Sequence, residues 1–444
     1  MDSIQKINRA VLLLGDITLL YTSLILTLYI RYRENFYTEF LERHLEPFTL
    51  IFIIWIIVFY IIGLYDLSSA RNTLNFNRML IGGSIISGII ALLIFYLIPT
   101  FGITPKTNLF IFIGIFIALE YNWRRAFNKK TASMKALYRL LLVGEGETVE
   151  AIKAHIKENP QLGYEIVTVL TGLSDPEFNH LAQIILTKNI NLIAVPVHIK
   201  KDTAAARKIY QNLALGIEVL DLADLYETLF KKVPLAELEE VWFLENLLLK
   251  HRAYEAIKRP SEVLFASFLF IILIPLNILI AFLIKITSPG EVIYKQVRIG
   301  KRGSKFILYK WRTMKQDAEA NGPQWSSNED TRVTQLGKLL RHTHLDELPQ
   351  LINIIKGNIS FVGPRPERPG FIENLESIIP YYDIRHLIKP GLTGWAQINY
   401  RYGSSVNDAY QKLQYDIYYL KNRSIFLDLA IIIRTIKLFF TNVE

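Results

Sequence analysis

KRPSEVLFASFLFIILIPLNILIAFLIK, residues 258–285, is a long apolar run with a proline inside it and cations at both ends. Crossing a bilayer takes about 20 apolar residues, and Ser261 to Ile284 supplies them. A full span would place everything downstream on the opposite side of the membrane. The flanks argue otherwise. His251, Arg252, Lys258 and Arg259 precede the run, and Lys285, Lys295, Arg298, Lys301, Arg302 and Lys305 follow it, so both ends favour the cytoplasmic face. Pro275 lacks the N–H that would continue the helical ladder, which makes a break there cheap. The pattern predicts a re-entrant helix over 261–284, broken at Pro275 and returning to the side it entered.

Upstream, four more runs reach spanning length: Ala10 to Ile30, Phe48 to Leu64, Met79 to Leu97, and about Ile103 to Trp123. They predict a four-helix transmembrane bundle over residues 1–130. The first run holds Asp16 and is followed by Arg31 and Arg33 with no small-residue cleavage site, so it reads as an anchor and not a removed leader. Glu34, Glu39, Glu42 and Glu46 crowd the first loop. Arg71 and Arg78 lie between the second and third runs, and Arg124, Arg125, Lys129, Lys130, Lys135 and Arg139 follow the fourth. Both ends of the unit are therefore expected on the cytoplasmic side.

A chain of 444 residues exceeds what one hydrophobic core usually serves. Its 51% hydrophobic content and mean hydropathy of +0.24 come largely from these runs. The net charge of +9 suits nucleic acid, anionic lipid or a phosphorylated substrate alike. The absence of cysteine excludes disulfides, thiolate metal sites and cysteine nucleophiles together.

From Ala136 the pattern changes to alternating strand and helix. LYRLLLVG (137–144) is followed by a Gly144-Glu145-Gly146 turn and a helix from Thr148, then by YEIVTVL (164–170), a helix and NLIAVPV (191–197). This predicts a Rossmann-like parallel α/β domain over 131–245. The glycine turn lacks its third glycine, replaced by Val149, which favours a structural or regulatory module over a nucleotide site.

Residues 246–444 are polar, basic and dense in motifs, and close on the helix Ile425 to Phe440, whose Asp428, Arg434 and Lys437 mark it as interfacial. In HTHLDELPQLINIIKGN (342–358), a helix is expected to begin near Asp346 and stop at Gly357. Acidic residues at a helix start commonly do no more than complement its dipole. The chemical alternative is that the same field keeps Asp346 ionised beside a bound phosphate, as a nucleophile, with Glu347 sharing a Mg²⁺. A zinc reading of His342, His344, Asp346 and Glu347 needs a further histidine, and only His386 is at hand. The stiff loop GPRPERP (363–369) presents Arg365 and Arg368 for phosphate capture. FILYKWR (306–312) adds Lys310 and Arg312. KPGLTGWAQ (389–397) suits a loop over a base or sugar, and Asp416 in YDIYYLKNRS (415–424) is open to pairing with one of the arginines or, equally, to capping or solvating a helix.

Together SPGEVIYKQVRIGKRGSKFILYKWRTM, LDELPQLINIIKGNISFVGPRPE, KPGLTGWAQINY and YDIYYLKNRS resemble the bacterial sugar transferases, monotopic phosphoglycosyl transferases, over about Lys258 to the C-terminus. The helices and α/β domain ahead resemble the large members of that family. The resemblance implies a multidomain protein of the bacterial inner membrane with its catalytic domain, re-entrant hairpin included, on the cytoplasmic face. It implies transfer of a sugar-1-phosphate from a UDP-sugar to undecaprenyl phosphate, with UMP released and a covalent intermediate on Asp346. Glu347 would ligate Mg²⁺; Lys310, Arg365 and Asp416 would serve phosphate binding and site integrity. A homodimer and no nucleic-acid partner are expected. Two departures are Glu262, where aspartate is usual, and Glu291, where proline is usual. A membrane-bound nucleotide-sugar dehydratase or epimerase would use Tyr254 and Lys258 as its Tyr-xxx-Lys pair, but the glycine turn is defective. A non-catalytic assembly protein would have no need of Asp346, Glu347 and Arg365.

Overall fold

The computed structural model describes residues 2–67, 70–97, 106–133, 138–173, 175–247, 252–315, 332–400 and 405–441. Ile103, Ala136, Lys135 and His251, used above to place boundaries and flanking charge, lie outside them. The chain forms two compact units, Met1–Leu229 and Phe230–Glu444.

In the first unit, helices Asp2–Tyr32, Leu45–Ile62, Leu74–Leu97 and Lys106–Ser133 share a core that includes Leu24, Phe48, Trp55, Phe112 and Phe116. Among the described residues, the helical runs Ile7–Ile62 and Leu74–Tyr96 are long and apolar enough to cross a membrane. The first doubles back on itself. Arg33 takes a left-handed conformation (φ 49°), and Tyr21 Oη then lies 2.9 Å from Thr49 Oγ1. The fourth run lies in helix Lys106–Ser133, whose described part is continuously apolar over 109–119, between Asn108 and Glu120; the start of that run lies outside the described residues. Asp16, the charge inside the first run, is buried against Arg124, which also binds Glu120 Oε1 at 2.6 Å and Leu64 O at 2.8 Å. An ionised group among apolar helices persists only with such partners.

Strands β1 (Tyr138–Val143), β2 (Tyr164–Leu170), β3 (Leu192–Val195) and β4 (Glu218–Asp221) form a parallel sheet in the order β2-β1-β3-β4. The fully buried run Leu192–Val195 shows why its sequence is continuously apolar: helices must cover both faces. Gly144 (φ 119°) and Gly146 (φ 103°) form the expected turn before helix Glu147–Glu158. Glu147 and Glu150 occupy that helix's first turn, where they oppose a bound phosphate.

In the second unit, helices Arg252–Ile272 and Ile274–Thr287 meet at a 61° bend. The break is at Leu273, two residues before Pro275. Pro275 sits in the first turn of the second helix, where its missing N–H has no partner to lose. Strands β5 (Ile293–Ile299) and β6 (Lys305–Trp311) pair antiparallel; β7 (Ser360–Val362) and β8 (Gly391–Thr393) pair parallel.

The base of the bent helix is tied down by the residues that sequence reading counted as flanking charge. Arg259 donates to the carbonyls of Ile354 (2.6 Å) and Ile355 (2.8 Å), capping the helix that ends at Lys356. Lys258 Nζ lies 2.9 Å from Asp428 Oδ2 and donates to Val362 O at 3.0 Å. Glu262, the unusual residue, accepts from Ser360 Oγ and from Phe361 N at 3.1 Å, which anchors the helix to β7. Tyr254, the tyrosine of the Tyr-xxx-Lys pair, donates to Asp428 at 2.7 Å. Tyr254 and Lys258 thus serve a network that joins the bent helix to helix Ile425–Thr441.

Candidate active site

Helix Gln335–His342 ends at Thr343, and His344 in a left-handed conformation (φ 53°) turns the chain into a 3₁₀ turn, Leu345–Glu347. The α-helix itself runs from Gln350 to Lys356 and ends on Gly357 (φ 83°). The acidic pair therefore precedes the helix and does not begin it. Pro349 is the cause: with no N–H it cannot bond back to Leu345, so the α-helical ladder starts only beyond it.

Lys310 projects from β6 toward the pair, with Nζ 2.6 Å from Glu347 Oε1 and 3.8 Å from Asp346 Oδ2. Arg365 Nη2 lies 3.7 Å from the same Glu347 oxygen. Burial alone would raise the pKa of Glu347, but Lys310 and Arg365 bring it down to about 2, so it stays ionised. Asp346 behaves differently. Burial raises its pKa above the ordinary carboxylate value, with Lys310 opposing and Glu347 adding to the rise. Desolvation is the largest influence on it, ahead of Lys310 and the other nearby cations.

Two residues that sequence reading passed over hold this arrangement. Asn353, fully buried on the apolar face of QLINIIK, accepts from Tyr309 N (3.0 Å) and donates to Ile307 O (2.7 Å), clamping β6 so that Lys310 meets the acidic pair. An amide in an otherwise apolar stripe was the available signal. Arg385 Nη2 lies 3.0 Å from Asp416 Oδ2 and donates to Arg365 O, also at 3.0 Å. Nothing in the local sequence distinguished Arg385 from a surface arginine.

The other predicted residues separate. Asp416 is 2% exposed and sits behind the arginine loop, where it holds Arg385. Arg312 donates to Ser288 O at 2.6 Å, which secures the exit from the bent helix. Arg368 is the residue before helix Pro369–Ile378, and its charge bears on Arg298. The loop carrying Arg365 is pinned on the glycine-rich segment: Gly363 N donates to Thr393 O and Gly391 N to Pro364 O, both at 2.9 Å. A Cβ at Gly391 would enter the backbone of Gly363, so that crossing admits only glycine.

A cavity of about 670 Å³ opens beside the pair. Glu347, Arg365, His344 and Lys412 give it a polar end, while Leu269 and Leu273 of the bent helix and Ile432 of the last helix give it an apolar wall. Among the described residues, no group of three or more histidine and carboxylate side chains is placed to hold a metal.

The sequence around this site matches known proteins. Residues 253–442 match the bacterial sugar transferase family. The chain is 39% identical over 225 residues to a UDP-N-acetylgalactosamine-undecaprenyl-phosphate N-acetylgalactosaminephosphotransferase of Aeromonas hydrophila, covering 51% of this chain and 53% of the relative. It is 36% identical over 188 residues to a UDP-glucose:undecaprenyl-phosphate glucose-1-phosphate transferase of Escherichia coli (strain K12), covering 42% and 40%. The chain thus spans about half the length of these curated relatives, or less. A putative undecaprenyl-phosphate N-acetylgalactosaminyl 1-phosphate transferase of Bacillus subtilis (strain 168) is 46% identical over 136 residues, 31% of this chain and 76% of the relative. Since the aligned part of that shorter relative is most of its length, and the family match takes in the acidic pair, Lys310 and the arginine loop, this chain belongs to the bacterial sugar transferases.

Proposed function

We propose that the chain transfers a sugar-1-phosphate from a UDP-sugar to undecaprenyl phosphate and releases UMP, as the first membrane step of exopolysaccharide or O-antigen-type glycan synthesis. The carrying observation is the cluster of Lys310, Glu347 and Arg365 next to Asp346, in which Glu347 and Arg365 line a cavity walled by the bent helix. A phosphate held at that end leaves a prenyl chain an apolar path along Leu269 and Leu273.

Asp346 Oδ attacks the β-phosphorus of the UDP-sugar. The bond from that phosphorus to the α-phosphate oxygen breaks, and UMP leaves with the electron pair. A phosphate oxygen of the lipid then attacks the same phosphorus, and the Asp346 carboxylate departs. Lys310 keeps the acidic pair from repelling the incoming diphosphate. Glu347, held ionised by Lys310 and Arg365, is the carboxylate that would hold Mg²⁺, which takes few protein carboxylates and completes its shell with substrate phosphates. Bound there, the ion would offset charge on the phosphate oxygens.

In nanodiscs, a panel of UDP-sugars with undecaprenyl phosphate is expected to yield UMP with one sugar class, and EDTA is expected to stop it. No UMP from any UDP-sugar would reject the reading. Native mass spectrometry of the particle reports whether two copies associate, as the homodimer reading expects.

The bent helix is read as re-entrant, in the inner membrane, with the second unit on the cytoplasmic face. The 61° bend and the cations after it support this. A cysteine placed at Lys301 should react with an impermeant thiol reagent only after the cells are permeabilised. Labelling in intact cells would favour a full span.

A further inference from the structure

Lys412 lines the same cavity as Glu347 and Arg365, from helix Val406–Asn422, one turn before Asp416. Its neighbours are all committed. Lys310 and Arg365 answer Glu347, and Arg385 answers Asp416. Among the described residues, no hydrogen bond or ion pair engages the Lys412 ammonium. Burial lowers its pKa from the ordinary lysine value, Arg365 and Arg385 adding to the drop and the more distant carboxylates of Glu367 and Asp416 opposing it. A half-buried cation that faces a cavity and has no carboxylate within ion-pair distance is a place where an anion gains on binding.

Which anion follows from the proposed chemistry, on which this inference rests. Each displacement at phosphorus is in line, with attacking and leaving oxygens on opposite sides. With Asp346 on one side in both steps, UMP must leave from the opposite position and the lipid phosphate must enter at that same position. We infer that Lys412 binds there, receiving first the phosphate of departing UMP and then the phosphate of the entering lipid. One cation thus serves both substrates, and UMP and undecaprenyl phosphate compete for it.

The full chain in nanodiscs provides the test, with UMP as product inhibitor and undecaprenyl phosphate as the varied substrate. Lys412→Gln should raise the inhibition constant of UMP and the KM of undecaprenyl phosphate together, each by about tenfold, the size of one lost charge-assisted hydrogen bond. Lys412→Arg should recover most of both, which a purely structural role would not require. A change in only one constant, or in neither, overturns the inference. If Lys412→Gln melts lower than the parent chain, the comparison is made on Lys412→Met and Lys412→Arg at matched stability, with the same parallel rise required. Failure of the underlying reading shows itself separately, as turnover in Asp346→Asn. Transfer would then be direct, the two groups would lie on opposite sides, and only one constant could respond.

Discussion

Asp346→Asn should lower UMP release by at least about a thousandfold, the scale on which loss of a covalent nucleophile is felt. The amide has the carboxylate's shape but neither its charge nor its nucleophilicity. The same substitution should leave the protein at least as stable as the parent. Asp346 is 7% exposed, and its raised pKa records a net cost of holding that charge in the fold. Lys310 keeps Glu347 as its nearer partner at 2.6 Å, so removing Asp346 strands no cation. Activity and stability should thus separate: turnover lost, melting temperature held or raised. UMP release within tenfold of the parent would sink the assignment. The pH profile gives a second reading of the same residue. Only the ionised carboxylate attacks, so the rate should climb with pH through the raised pKa, placing the acid limb above the usual range for aspartate. Glu347, near 2, does not titrate in that window.

Asp416→Asn should act the other way, through stability first. Asp416 and Arg385 are 2% and 5% exposed and lie 3.0 Å apart. Removing one member of a buried pair leaves the other charged and desolvated, at a cost of about 3–5 kcal/mol. For a unit of this size that corresponds to a fall of about 10 °C in melting temperature. Arg385 also donates to Arg365 O, so activity should drop in the fraction that stays folded. Replacing both residues by leucine should restore most of the stability, because no buried charge remains, without restoring activity. A melting temperature for Asp416→Asn within about 2 °C of the parent would show that the pair does not hold the loop.

The distinction between these two aspartates was not legible in the chain. Both stand in polar, motif-rich segments, and local sequence reports no burial. An arginine partner for Asp416 was foreseeable, but not that it would be Arg385, which the fold places between Asp416 and the carbonyl of Arg365. Sequence reading grouped Lys258 and Arg259 with the cations that choose a membrane face, whereas both are spent on carbonyls and on Asp428. The cations after the bend carry more of that argument than those before it. Asn353 and Arg385 escaped notice because their partners are distant in sequence.

What the sequence determined by itself is what depends on local pattern and short spacing. Apolar length marked the first three helical runs and the broken one, alternating strand and helix marked the parallel sheet, and the order of motifs marked the family. Only the tertiary structure decided that the bend falls at Leu273 and that the acidic pair rides a 3₁₀ turn before the helix. It also decided the sign of Asp346's pKa, which is a sum of desolvation and distant charges brought close by folding. The feature read first, KRPSEVLFASFLFIILIPLNILIAFLIK, shows the division. Its apolar length and proline announced a broken helix, but the 61° angle, and the cavity that helix walls beside Glu347, exist only once Glu262 and Arg259 have bound it to β7 and to the helix that follows the acidic pair.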